Sequence, residues 1–367
     1  MEDTTPALRA TPPQGGGETA PAPEVAPAQA ESAPVAPVPT NIVAADEGNI
    51  ARAVDLLRAG EVVAFPTETV YGLGADASSA DAVAKIYALK GRPAAHPVIV
   101  HLADAAQLDK WAIGISEVAR QLARMFWPGP LTLVLKRAPG VSDAVTGGQD
   151  TVGLRVPSHP VARALLAAFG AGVAAPSANK FGRVSPTLAE HVFADFALTV
   201  PLILDGGPTN VGIESTIVDL SGEHLRLLRP GGVPAAAIEE VLGAPLAAGD
   251  ETAPRASGTL PSHYAPKAHV RLVKRVEMLE MLSSHKGRRL GVLALEVKVP
   301  RLNSALQRVV PAIAAQYARD LYAAMRALDA QNVDVILVEA PPESPAWAAI
   351  HDRLARAARG ATEGGAT

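Results

Sequence analysis

Glu61-Val62-Val63-Ala64-Phe65-Pro66-Thr67-Glu68-Thr69-Val70-Tyr71-Gly72-Leu73-Gly74 opens as a buried strand over Glu61–Phe65 and stops at Pro66, which has no N–H for a ladder. Two hydroxyls, a carboxylate and a phenol follow, among glycines that permit close backbone approach. The same residues read either as a strand end with a glycine turn or as the wall of a ligand pocket.

The pattern on both sides places this strand in an α/β domain. Ile50–Ala59 is spaced as an amphipathic helix. Downstream, Ala80–Leu89 is predicted helical, Val98–His101 extended and Ser116–Met125 helical. Strands are then expected at Leu131–Leu135 and Val152–Val156, a helix near 161–168, a short strand at Val173–Ala175 and a helix near 188–196. Three strand-like runs, Leu202–Leu204, Ser215–Leu220 and Leu225–Leu228, close the unit. Residues 46–240 thus form one domain. Residues 241–267, rich in Ala, Pro and Gly, read as a linker. Residues 268–367 carry a second strand–helix alternation, predicted as a small parallel Rossmann-like sheet. It has no Gly-x-Gly-x-x-Gly after its first strand, so nucleotide binding there is not supported.

Residues 1–45 read as a disordered tail. The first 40 hold nine prolines and nine alanines and no aromatic residue, too little apolar surface to offset the entropy of ordering.

Composition narrows the chemistry. The chain has 367 residues, no cysteine and a formal net charge of −4. Disulfides, thiolate nucleophiles and thiolate metal sites are excluded, and a polyanion-coating role is disfavoured. No apolar run reaches the ~18 residues of a membrane span, and no basic-then-apolar leader opens the chain. A cytoplasmic protein with no membrane partner is expected. Residues 46–240 hold 16 basic and 20 acidic residues, yet Lys90, Arg92, Arg155, Lys180, Arg183 and Arg229 fall in loops and strand ends. That is the pattern of a focused anion site.

Lys90-Gly91-Arg92-Pro93 closes a helix. It serves as a C-terminal cap and, equally, as a rigid turn that aims two cations at phosphates. His96 and His101, five residues apart with no further ligand signature, read as polar contacts; no metal site is expected. Ser177, in Pro176-Ser177-Ala178-Asn179, and Ser185 lack the context of a nucleophile. Ligand hydrogen bonding, or capping of the next helix by Ser185, is expected instead. Glycine-rich turns at Asp205–Thr209 and Gly212–Thr216 contain no Gly-x-x-x-x-Gly-Lys-[Ser/Thr], so no P-loop is present.

Together these segments resemble one family. The ordered signatures are Pro66–Gly74, Lys90-Gly91-Arg92-Pro93, His96-Pro97-Val98-Ile99-Val100-His101, Pro128-Gly129-Pro130-Leu131-Thr132, Pro176-Ser177-Ala178-Asn179, Glu214-Ser215-Thr216-Ile217-Val218 and Leu228-Arg229-Pro230-Gly231. They are similar to those of the YrdC-type threonylcarbamoyl-AMP synthases. Ser262-His263-Tyr264-Ala265-Pro266 resembles the linker of the long, two-domain members. The resemblance implies a twisted mixed-sheet catalytic domain with a smaller accessory domain, and synthesis of threonylcarbamoyl-AMP and pyrophosphate from L-threonine, bicarbonate and ATP with Mg2+. The product would serve threonylcarbamoylation (t6A) of tRNAs reading codons that start with A.

Carried over residue by residue, the resemblance implies a threonine site of Thr69, His101, Arg155, Ala175 and Ser215. It implies an ATP site of Arg92, His96, Thr151, Ser177, Ser185, Arg229 and Tyr264, and a catalytic tetrad of Lys90, Arg92, Ser177 and Asn179. Downstream tRNA threonylcarbamoyl-transferase enzymes would take the product; stable direct tRNA binding is not expected. A hydrogenase-maturation carbamoyl-adenylate maker carries cysteine-rich zinc modules that this chain cannot supply. A double-stranded RNA-binding module without ATP turnover is the alternative from another class; the acidic charge of residues 46–240 weighs against it.

Overall fold

The computed structural model describes Met1 and residues 41–285, 287–300, 302 and 306–359. The strands of the first domain are β1 (Ile42–Ala44), β2 (Val63–Phe65), β3 (Gly72–Asp76), β4 (Ile99–His101), β5 (Leu131–Lys136), β6 (Thr151–Arg155), β7 (Val173–Ala174), β8 (Ile203–Asp205), β9 (Thr216–Asp219), β10 (Arg226–Arg229) and β11 (Ala247–Ala248). They form one sheet in the order β1-β8-β2-β3-β7-β4-β6-β5-β9-β10-β11. It is mixed: β4 and β6 run parallel, while β2 and β3, β3 and β7, and β5 and β6 run antiparallel.

Helices α1 (Glu47–Arg58), α2 (Ala80–Lys90), α3 (Leu108–Trp111), α4 (Glu117–Phe126), α5 (Asp143–Thr146), α6 (Pro160–Phe169), α7 (Ala189–Phe196) and α8 (Ala235–Leu242) join these strands. Their ends follow local chemistry. Asp46, Ser79 and Ser116 cap α1, α2 and α4 through their side-chain oxygens. Gly91 ends α2 in the left-handed region, so Lys90-Gly91-Arg92-Pro93 is a helix terminator as structure.

The accessory domain holds β12 (His269–Val273), α9 (Met278–Ser284), β13 (Leu290–Leu295), β14 (Gln307–Val310), α10 (Ala314–Asp329), β15 (Val335–Glu339) and α11 (Ala348–Arg359). Its four strands are all parallel, in the order β12-β15-β13-β14. Arg275 donates to Glu339 at 2.8 Å, and Glu339 also accepts from the Leu295 N–H, tying together the carboxyl ends where ligands sit in such sheets.

Four expectations need correction. β1 lies inside the tail expected to end at residue 45: Ile42–Ala44 pairs in parallel with β8, although residues 2–40 lie outside the described residues. Gly72-Leu73-Gly74 is the start of β3, not a turn. A Cβ at Gly74 would stand 2.7 Å from the Phe65 ring and 2.9 Å from Val173, so the glycine serves close strand packing. The linker is partly built into the sheet: β11 pairs with β10, and Gln149 accepts from the Arg255 N–H at 2.7 Å. Ser185 caps no helix; α7 begins at Ala189 without a side-chain cap.

The two domains meet closely. Gly212, at φ +78°, lies where any Cβ would run into the backbone of Ala318 and Arg319 on α10. Arg326 of α10 pairs with Asp195 of α7 at 2.7 Å and donates to the Val184 carbonyl.

Candidate active site

The sheet brings strand ends to one place. His101 and Arg155 are register partners closing β4 and β6, Ala175 follows β7, Ser215 precedes β9 and Arg229 ends β10. Thr69 is set by a small turn: the Thr67 hydroxyl donates to the Val70 carbonyl at 2.7 Å and accepts from the Thr69 N–H at 3.2 Å.

Nine of the expected residues share one cavity: Thr69, His101, Arg155, Ala175 and Ser215, with Arg92, Ser177, Arg229 and Tyr264. Its volume is about 50 Å³, and Ser257, Gly258, His263 and Tyr264 of the linker form one wall. As it stands the cavity is small and walled on one side by the linker.

Arg155 is 4% exposed. Its Nη2 donates to Glu68 Oε1 at 2.6 Å, Nη1 to Thr69 Oγ1 at 3.0 Å and Nε to the Gly129 carbonyl at 3.2 Å. Glu68 Oε2 accepts from the Ser158 N–H at 3.0 Å. Part of the five-donor guanidinium remains for a ligand carboxylate.

Arg92 and Arg229 are also buried, at 8% and 3% exposure. Arg92 donates to the Pro97 carbonyl at 2.7 Å and to Ser257 Oγ at 3.2 Å. Arg229 donates to the Ser215 carbonyl at 2.9 and 3.1 Å and to the Ser257 carbonyl at 2.7 Å. Among the described residues neither forms an ion pair with a carboxylate. Burial lowers both, Arg92 to about 10. Buried cations satisfied only by neutral oxygens make a site for an anion.

The expected tetrad divides. Arg92 and Ser177 line the cavity, whereas Lys90 stands behind it and donates to the Ser177 and Asn179 carbonyls at 2.6 and 2.5 Å. Burial, then Arg92, lowers the Lys90 ammonium well below its ordinary range. Asn179 donates to the Lys180 and Arg183 carbonyls, fixing the same loop. His96 is half-buried beside Phe181, with ring centroids 5.7 Å apart. Thr151 lines an adjacent cleft with Arg255 and Ser257. Ser185 donates to Glu214 at 2.5 Å.

Three participants were given no role by the sequence reading. Glu68 and Glu214 lie inside the quoted signatures, but their arginine partners are distant in the chain. Arg353 had a visible signal: it sits with Ile350, Leu354 and Ala357 on the buried stripe of α11, where a charge requires a partner. Tyr264 also differs from expectation. Implied only as an ATP-site residue of the linker, it is 1% exposed at φ +60°, packed between the domains and lining the cavity at once.

The histidines carry a pH consequence. Burial, then Arg155, lowers His101 to about 3; burial is also the main cause that brings His263 to about 3. Both stay neutral when folded and take up protons when unfolded below about 6.5. Their contribution is complete above pH 6.5 and is lost as pH falls towards 3, at up to about 1.4 kcal/mol per pH unit each. Urea denaturation at pH 7.5, 6.5 and 5.5 should show stability falling below 6.5; His101→Gln should flatten the slope.

A mixed sheet with a buried cationic pocket, closed by a linker from a parallel accessory domain, defines a two-domain α/β enzyme built around an anionic ligand. A family model described as "Telomere recombination" (Sua5, YciO and YrdC) matches residues 55–231, and one described as the threonylcarbamoyl-AMP synthase C-terminal domain matches residues 233–359. A threonylcarbamoyl-AMP synthase of Bacillus subtilis is 42% identical over 88% of this chain and 96% of its own length. One of Pyrococcus abyssi is 41% identical over 85% and 94%. The crystal structure of P. abyssi Sua5 complexed with L-threonine superposes with a TM-score of 0.80 at 39% identity, covering 86% of this chain and 96% of that one. The chain belongs to the Sua5/YrdC family of threonylcarbamoyl-AMP synthases, in its long two-domain form.

Proposed function

We propose that the chain joins L-threonine, bicarbonate and ATP into threonylcarbamoyl-AMP, releasing pyrophosphate and water. The observation that carries this is the pair Arg92 and Arg229, buried cations without a carboxylate partner at the wall of a pocket that also holds Arg155. The relatives' names, and the threonine bound to the P. abyssi protein, favour synthesis over RNA binding.

Threonine occupies the space among Thr69, His101, Arg155, Ala175 and Ser215, with its carboxylate on the free part of the Arg155 fork. His101, held neutral, adds no competing charge. The threonine amine and bicarbonate give a carbamate and water. A carbamate oxygen attacks the α-phosphorus of ATP as the bond to pyrophosphate breaks, so no protein nucleophile takes part. Arg92 and Arg229 oppose the charge on the phosphates, with Mg2+ arriving as part of the substrate MgATP. ATP extends from Ser177 and Arg229 towards His96 and Thr151 once Ser257 and Tyr264 shift. Lys90 and Asn179 hold the Ser177 loop, and Ser185 acts through Glu214. The carbamate and the mixed anhydride hydrolyse in water, which gives the linker wall a purpose. The product passes to a cytoplasmic tRNA threonylcarbamoyl-transferase for t6A formation.

Pyrophosphate release should require both threonine and bicarbonate; release that persists in carbonate-depleted buffer would refute the mechanism. Arg92→Ala removes charge-assisted bonds and should lower turnover about tenfold or more. Initial rates on a folded variant check this, and an unchanged rate would remove Arg92 from the site.

A further inference from the structure

The mechanism leaves Glu214 without a direct task, although it is a buried carboxylate on the cavity wall. Most of its partners belong to the other domain. Oε1 accepts from Ser185 at 2.5 Å, while Oε2 accepts from Tyr322 of α10 at 3.0 Å and from Arg353 Nε of α11 at 2.7 Å. The Arg353 guanidinium also lies 4.9 Å from the centre of the Tyr264 ring, and Tyr322 stacks on the same ring at 5.9 Å. Directly after Glu214 comes Ser215, whose carbonyl accepts two bonds from Arg229. Two side chains of the accessory domain therefore reach both the strand end that sets Arg229 and the linker tyrosine that closes the cavity.

Domain adhesion alone does not account for this placement. α10 is already docked by Arg326–Asp195 and by the close approach at Gly212. A buried ion pair is a weak source of net stability, so holding the domains together is a poor reason for one here. Burial would push Glu214 up, but Arg353, Arg229 and Ser185 outweigh it and hold the carboxyl at about 2, so the network stays ionised.

We propose that Arg353 and Tyr322 are positioning residues: through Glu214 and Tyr264, the accessory domain holds Arg229 and the linker in the arrangement that grips the nucleotide. This rests on reading the cavity as the ATP and threonine site. Of the threonine site, Ser215 adjoins this network, whereas Arg155, the partner for the substrate carboxylate, is held by Glu68 and itself holds Thr69 within the catalytic domain. The two ligands should therefore respond differently.

The test uses the full chain. Calorimetric titrations with magnesium α,β-methylene-ATP, and separately with threonine, are run on wild type, Tyr322→Phe, Arg353→Met and Arg275→Met, which breaks the Arg275–Glu339 pair inside the accessory domain. Melting temperatures come from the same preparations. Tyr322→Phe keeps the ring and removes one bond to a charged group, so analogue affinity should fall about tenfold. Arg353→Met should lose at least as much, with threonine affinity changing less than about threefold in both. Arg275→Met leaves the buried Glu339 carboxylate without its cation, so it should lower the melting temperature and leave analogue affinity unchanged. Folded Tyr322→Phe protein that binds the analogue like wild type would overturn the proposal, whether or not Arg353→Met folds. So would an equal loss for both ligands. A wild type that binds no analogue would instead defeat the reading of the cavity itself.

Discussion

Arg155→Met should abolish threonine-dependent turnover and destabilise the protein by about 3–5 kcal/mol. Both effects come from one buried geometry. The Arg155 fork holds Thr69 and Glu68 while keeping donors for a ligand carboxylate; without it Glu68 retains only the Ser158 N–H and a buried negative charge. The double variant Glu68→Gln/Arg155→Met separates the roles. Removing both charges should restore most of the stability, since the cost arises from the orphaned carboxylate. Activity should not return, because no cation remains for threonine. Urea denaturation and a threonine titration of initial rate, on the same preparations, decide between these outcomes. Recovery of turnover in the double variant would show that Arg155 serves only to neutralise Glu68.

Tyr264→Ala should lose both stability and turnover. The ring meets His263 at 4.1 Å, Tyr322 at 5.9 Å and the Arg353 guanidinium at 4.9 Å, in a place where the residue is 1% exposed. Emptying such a site costs about 3–5 kcal/mol. The same deletion opens the linker wall, so the adenylate should escape and hydrolyse faster. Tyr264→Phe is the control: the hydroxyl has only a 3.4 Å contact with the Gly258 carbonyl, so stability should change little. A Tyr264→Ala protein with wild-type product lifetime would assign the residue to domain packing alone.

These residues also show where sequence reading succeeds and where it stops. Strand β5 shows as a continuous run of buried residues and helix α4 as an amphipathic period, and capping side chains mark several helix starts. The residues that the resemblance implies for threonine meet in one cavity because they lie in compact strand-end signatures that the sheet gathers together. Gly72–Asp76 misled, because a glycine required by close packing against Phe65 resembles one required by a turn. Ile42–Ala44 was missed, being three residues long and strand only through β8. β14, only four residues long, is likewise strand only through its partner β13. The partners of Glu68 and Glu214 lie 87 and 139 residues away in the chain, and no local pattern encodes such a pairing.

In the proposed reaction one pocket joins bicarbonate and threonine into a carbamate, which then attacks the α-phosphorus of ATP. Incubation of the full chain with threonine, MgATP and 13C-bicarbonate, with mass analysis of the quenched product, tests this most directly. The expected product is a threonylcarbamoyl adenylate one mass unit heavier than that made from ordinary bicarbonate, formed in equal amount with pyrophosphate. An unlabelled adenylate, or pyrophosphate formed without an adenylate, would contradict it.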